Sequence, residues 1–167
     1  MKIFLFFPIF CFYGCTISLD GPEQPVKYVD LEKFMGKWYV IAFTPTFVDE
    51  GAENGIETYR LGEDGNIEIE YTFSIDGEFE SHLQTGIVQP DPSNAKWRLK
   101  YNWLLSFDFY LIVEIDPEYE YTVIGVPDRS YVWVMSREKK MDEKLLVEIL
   151  TRLKERGYDM EKIERMK

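Results

Sequence analysis

Beyond residue 15 the chain has no cysteine, and its single histidine is His82. The body of the protein therefore has no disulfide, no thiol nucleophile and no thiolate to offer a metal. A zinc site of the usual Cys/His kind is excluded, and a catalytic triad would have to be built on His82 alone. No cofactor, metal or catalytic residue is expected. Positive charge is also scarce: 19 Lys and Arg stand against 30 Asp and Glu, for a formal net charge of −11. Binding to phosphate backbones needs clustered basic side chains, so no nucleic-acid partner is expected. No membrane-spanning run is present either. The apolar stretch Ile3–Tyr13 falls short of the roughly 20 residues that a spanning helix requires.

That stretch follows Met1-Lys2 and closes on Gly14-Cys15, an arrangement that reads as a secretory signal. A small residue directly before a cysteine also resembles the lipobox of bacterial lipoproteins, in which cleavage leaves the cysteine as an acylated N-terminus. Tyr13 and Phe12 depart from that pattern, and plain secretion is the alternative. The expected organisation is a signal peptide over 1–14, a tether over 15–27 beginning at a lipidated Cys15, and one folded domain over 28–167. Pro22 and Pro25 fit a tether.

What the chain does have is aromatic side chains, 16% of the sequence, set in alternating strands. Val29–Met35 predicts a short helical turn capped by Asp30. Trp38–Thr44 is the first strand, apolar on both faces and so expected to be covered on both. A long loop, 45–55, follows, of the length often found in lids. Six further strands are predicted over 56–61, 66–75, 79–89, 96–103, 107–115 and 120–126, with an eighth over 131–137. Turn residues separate them, among them the hairpin signal Asp76-Gly77. In 66–75 the alternation is clean, with Ile67, Ile69, Tyr71, Phe73 and Ile75 opposite Glu68, Glu70, Thr72 and Ser74.

Eight short-turned strands describe an antiparallel meander, and closing it into a barrel removes its edges. The expected fold is all-β: an eight-stranded up-and-down barrel with an interior able to hold one small ligand. At Met141 the period switches. Asp142 caps a helix ended by Gly157, and Leu145, Leu146, Ile149, Leu150 and Leu153 form a stripe that must pack on the outside of the barrel.

The stretch FMGKWYVIA, residues 34–42, resembles the first lipocalin motif, a Gly-x-Trp opening the first strand, here Gly36 and Trp38. Asp128, in the turn 126–131, matches the second motif, and Arg137 at the end of the eighth strand matches the third. The resemblance runs from about Tyr28 to Met166 and is closest to the bacterial outer-membrane lipoprotein type, related to apolipoprotein D-like proteins. It implies that Trp38 lies across the closed end of the barrel under the Arg137 guanidinium, so these four residues are architectural. It also implies a fatty acid or lysophospholipid as ligand, and an outer-membrane location.

Read from the alternation, Val40, Ala42, Tyr59, Ile69, Tyr71, Phe73, Leu83, Trp97, Leu99, Tyr101, Phe109, Leu111, Val113, Tyr121, Val123 and Trp133 face the interior. Tyr59, Tyr71, Phe73, Trp97, Tyr101, Phe109, Leu111, Tyr121 and Trp133 are the candidate pocket lining. Apolar walls with a few phenols suit an acyl chain with its polar head at the rim. Each of these side chains, taken singly, is more a core residue than a ligand contact, and the set is better evidence than any member. The apolar turn 103–106 is either packed against its neighbour or forms a lip touching lipid or a second subunit, as in a homodimer. Two other readings stand beside lipid carriage: an interaction module built on a filled barrel, and an enzyme using His82 for acid–base work. Finding His82 on the outer face would dispose of the enzyme.

Overall fold

The computed structural model describes residues 21–101 and 106–167, and the side chains of all of these but 106–109. The strands are β1 (Gly36–Phe43), β2 (Glu53–Leu61), β3 (Ile67–Ile75), β4 (Glu78–Val88), β5 (Lys96–Lys100), β6 (Ser106–Ile115), β7 (Tyr121–Gly125) and β8 (Val132–Ser136). Each pairs antiparallel with the next, and β1 pairs with both β8 and β2, so the sheet closes on itself as an eight-stranded up-and-down barrel. The Asp76-Gly77 hairpin has both central residues at positive φ, +52° and +82°, the geometry that matches strand twist.

One end of the barrel is shut by α1 (Leu31–Phe34) and the side chains around it. Asp30 caps this helix, its Oδ1 accepting from the amides of Glu32 and Lys33 at 3.1 and 3.3 Å. Trp38 is fully buried beneath the helix and donates from Nε1 to the Phe34 carbonyl at 2.8 Å. Phe34, Trp38, Tyr59 and Trp97 pack there ring against ring, with centroids 5.1–5.9 Å apart. The loop 44–52 and the β3–β4 and β7–β8 turns lie at the opposite end, the mouth.

Helix α2 (Glu143–Glu155) is capped by Asp142, whose Oδ1 accepts from the Leu145 amide at 3.0 Å. It buries Leu146, Ile149 and Leu153 against Ala42, Leu111, Val113, Val123, Val132 and Val134. These residues belong to β1, β6, β7 and β8, so this wall is apolar on both faces. Arg152 clamps the helix to the strands through an ion pair with Glu114. The chain then returns through a 3-10 turn at Met160–Lys162 to β9 (Glu164–Arg165), which pairs with β1 at Ala42 and Phe43. β1 and β2 are paired only over Gly36–Tyr39 and Ile56–Tyr59. Above that the tail fills the split: Met166 donates its amide to the Ile41 carbonyl, and the Lys167 carbonyl accepts from the Asn54 amide.

Within the segment read as a tether, Glu23 and Val26 bond their amides to the Pro127 and Ile112 carbonyls at 2.8 Å. The Glu23 carboxylate, 6% exposed, lies between Arg156 at 2.8 Å and Arg129 at 3.5 Å. Cys15 and the leader lie outside the described residues, as does most of the apolar turn 103–106.

The structure reverses part of the predicted interior. Ala42, Leu111, Val113, Tyr121 and Val123 face α2, not the barrel interior. Two irregularities explain most of this. A bulge between Val40 and Ala42 turns Ala42 out and Phe43 in, and a slip in the β5–β6 pairing between Phe107 and Tyr110 brings Tyr110 and Ile112 in and sends Leu111 and Val113 out. In β7, Thr122 and Ile124 are the inward pair, because α2 makes the outer face just as apolar as the inner one. Leu83 is 70% exposed on the outside of β4, whose inward residues are His82, Gln84 and Gly86.

Candidate ligand-binding site

The interior above Trp38 is built from strands whose inward positions alternate with solvent-facing ones. On β2 these are Glu57 and Tyr59, on β3 Ile69, Tyr71 and Phe73, and on β5 Trp97 and Leu99. Tyr110 and Ile112 come from β6, Ile124 from β7, and Trp133 and Met135 from β8. The rings form two connected rows rising from the closed end. One runs from Trp97 to Tyr110 (5.7 Å between centroids) and on to Trp133 at 6.3 Å. The other runs from Tyr71 to Phe73 (4.8 Å) and on to His82, stacked at 5.4 Å with its ring 7° from parallel.

Thus Tyr59, Tyr71, Phe73, Trp97 and Trp133 from the predicted lining do share the interior. Trp97 and Tyr59 belong to the packed floor, and Trp133 lies near the mouth, only partly buried. Tyr101 is half-buried just beyond β5, and its phenol is pushed up to about 12, first by burial and then by the charges of Glu57 and Asp49. Leu111 and Tyr121 are on the wrong side of the wall to line the pocket. The Tyr121 phenol donates to Glu114 at 2.9 Å beside α2. Phe109 lies outside the described side chains.

His82 sits on the inner face, so the observation that would have disposed of an acid–base role is not made. Its described polar neighbour is Glu80, with Nε2 at 3.9 Å from the carboxylate. Among the described residues no group of His, Cys, Asp and Glu is placed to hold a metal ion.

The interior also holds a polar group that was not singled out in the sequence. Glu57 is 5% exposed, and its Oε2 accepts from the phenols of both Tyr59 and Tyr110, the latter at 2.9 Å. The two phenols also touch each other. Burial pushes the Glu57 carboxyl above its ordinary value; the two phenol bonds oppose this, and the nearby Asp49 charge adds to it. Asp49, 1% exposed, reaches in from the mouth loop. Its Oδ1 accepts from the Thr46 amide and hydroxyl, each at 2.6 Å, and its Oδ2 accepts from the Tyr71 phenol at 3.3 Å. A signal for Glu57 was present: alternation that sends Tyr59 inward sends Glu57 inward too. No such signal exists for Asp49, which lies in a loop, or for Tyr110, in a strand apolar on both faces.

The closed end explains the first and third motifs physically, and a turn at the mouth explains the second. The Arg137 guanidinium lies 3.6 Å over the Trp38 ring. It donates to the carbonyls of Lys37 (2.9 Å), Lys33 (2.7 Å), Phe34 (3.2 Å) and Tyr119 (3.3 Å), tying α1, β1 and the β6–β7 turn together. Gly36 has φ of +97°, a backbone conformation that calls for glycine, directly under the Arg137 guanidinium. Asp128 holds its own turn, its Oδ1 accepting from the Ser130 amide at 3.0 Å and hydroxyl at 2.6 Å. These two bonds keep its carboxyl below the ordinary value.

Comparison with known proteins agrees with this architecture. The chain is 29% identical over 153 residues to temperature-induced lipocalin-1 of Arabidopsis thaliana, covering 85% of this chain and 81% of that one. It is 26% identical over 157 residues to the outer membrane lipoprotein Blc of Vibrio cholerae, covering 89% and 92%. Among solved structures, insecticyanin from the tobacco hornworm Manduca sexta superposes with a TM-score of 0.69 at 16% identity, covering 86% of this chain and 83% of that one. Apocrustacyanin C2 superposes with a TM-score of 0.67 at 14% identity, covering 82% and 78%. These two likenesses show the fold. Residues 29–167 match the model of the lipocalin-like domain, and the chain belongs to the lipocalin family, which binds small hydrophobic ligands.

Proposed function

We propose that this protein is a non-catalytic carrier of a single-chain lipid, a fatty acid or lysophospholipid, held in the bacterial cell envelope. The observation that carries the reading is the ring-lined interior. Above the floor made by Trp38, Tyr59 and Trp97, the described inward side chains of β3, β5, β6 and β8 are aromatic or aliphatic. Such walls gain from covering an acyl chain at roughly 25 cal/mol per Å² of apolar surface removed from water. Phenols and His82 near the rim supply the few polar contacts that orient a head group.

The envelope location is supported by the signal-like leader, by Cys15 after a small residue, and by the outer membrane lipoproteins among the relatives. On this reading Cys15 carries the lipid anchor and residues 1–14 are removed. The second reading, an interaction module with a filled barrel, draws support from the burial of Tyr59, Tyr71, Phe73, Trp97 and Tyr110, each 5% exposed or less, and ligand uptake decides between the two. Titration of the mature protein with lysolipid and fatty acid, followed by tryptophan fluorescence, tests the proposal. Saturable quenching in the micromolar range is expected, since Trp133 stands among the upper interior rings. A flat response into the high micromolar range would end it.

A further inference from the structure

The inner wall of the barrel has an unbalanced charge inventory. Two carboxyl groups, Glu57 and Asp49, are buried on its inner side. No Lys or Arg of the described strands faces inward. Lys37, Arg60, Lys96, Arg98 and Lys100 each sit one residue away from an inward Trp38, Tyr59, Trp97 or Leu99 and so point outward. The Arg137 guanidinium lies beyond the Trp38 ring, bonded to backbone carbonyls at the closed end. The mouth loop 44–52 contains no basic residue, and neither does the segment 102–109. Arg129, in the β7–β8 turn, is drawn to Glu23 on the outside. The site itself does not rest on these acids, because it is the interior of a barrel whose family binds small hydrophobic ligands. The acids decide which polar end that interior accepts.

A carboxylate brought down to Glu57 would meet two acids and no Lys or Arg; among the described residues the inward group able to take a positive charge is His82, set nearer the mouth beside Glu80. An ammonium would meet the Glu57 carboxylate, which takes both its phenol bonds on the single oxygen Oε2. It would also meet the π-faces of Tyr71, Phe73, Tyr110 and Trp133, which attract cations in a desolvated site. We propose that, among single-chain lipids, the barrel selects those whose polar end is a protonated amine, with the ammonium seated against Glu57 and the chain running along the upper rings towards the mouth. This rests on the reading of the barrel as a lipid site, and departs from it in setting the head at Glu57 instead of the rim and in favouring an amine over a fatty acid's carboxylate.

Binding carries a proton balance. Burial raises the Glu57 carboxyl above its ordinary value; wherever it still holds its proton, that proton goes to water as the ammonium arrives, and the pair that forms is ammonium with carboxylate. Affinity for the amine therefore rises with pH through the Glu57 titration and falls once the amine itself loses its proton, near the ordinary value of about 10.4 for such a group.

The test is a titration of the mature protein with dodecylamine, dodecanol and dodecanoate, three probes with one chain length and different heads. The expected result is dodecylamine bound at least about tenfold more tightly than dodecanoate, or about 1.4 kcal/mol, with dodecanol between them. In Glu57→Gln that preference should shrink to about threefold or less. The wild-type affinity for the amine should strengthen as pH is raised from about 4.5 through the Glu57 titration. Dodecanoate bound as tightly as the amine, or a preference that survives Glu57→Gln, would overturn the inference and leave lipid carriage standing. Failure of all three probes to bind would overturn the lipid reading itself. Should Glu57→Gln not fold, the head-group series and the pH series on the wild type decide the matter.

Discussion

Replacing Glu57 by Gln should change how stability depends on pH, and the sign follows from the surroundings of the carboxyl. Burial pushes the Glu57 carboxyl above its ordinary 4.5 in the folded state, and Asp49 adds to the push. The folded protein then holds a proton that the unfolded chain has released. Stability from this group is fully present below about 4.5 and is lost as pH rises through the folded value. The steepest loss is one proton's worth, about 1.4 kcal/mol per pH unit. Gln has nearly the same shape, and its amide oxygen can accept from the phenols of Tyr59 and Tyr110 as Oε2 does, but it cannot ionise. Urea unfolding of wild type and Glu57→Gln at several pH values measures the difference. The two stabilities should run parallel at low pH, and the wild type should then fall relative to the variant as pH rises above about 4.5. A difference that stays constant from acid to neutral pH would refute the reasoning, because it would mean that Glu57 takes up no extra proton on folding.

Arg137→Ala should cost about 2–4 kcal/mol, since it removes a cation–π contact and charge-assisted bonds to four backbone carbonyls at a partly exposed site. Arg137→Lys should recover less than half of that by chemical denaturation, because an ammonium has no planar fork. Leu153→Ala, at a fully buried position between α2 and the barrel wall, should lose about 2–5 kcal/mol and lower the thermal midpoint without abolishing the β-type circular dichroism. Gly55→Ala would set a Cβ 2.5 Å from the Met166 Cε, so it should swing the Met166 side chain aside and loosen the C-terminal tail in the split between β1 and β2. Hydrogen exchange at the Met166 amide, bonded to Ile41, should then quicken.

The barrel was legible in the sequence because most of its strands have one wet face. In β3 the alternation of Ile67, Ile69, Tyr71 and Phe73 with Glu68, Glu70 and Thr72 leaves a single phase, and the structure keeps it. The wall under α2 was not legible in the same way. Where a helix dries the outer face, both phases of a strand are apolar, and period-2 reasoning cannot choose between Tyr110 and Leu111 or between Tyr121 and Thr122. The bulge at Ile41 and the slip between Phe107 and Tyr110 add a shift that leaves no mark in residue type. The candidate site was legible where its residues alternate with charged ones: Tyr71, Phe73 and Trp97 by direct reading, and Glu57 by the same reading carried one step further along β2. Asp49 required the tertiary structure, since only folding of the mouth loop brings it to Tyr71. The tail strand β9 was out of reach too: two residues have no periodicity to read, and Met166 finds its place only because β1 and β2 separate.

The central claim is that the barrel carries a single-chain lipid, and mass spectrometry of lipids extracted from the protein made in its native envelope tests it most directly. The account predicts single-chain lipids recovered at close to one per protein, with amine-bearing species enriched over their share of the envelope. Recovery of no single-chain lipid above the level found with an unrelated envelope protein would contradict it.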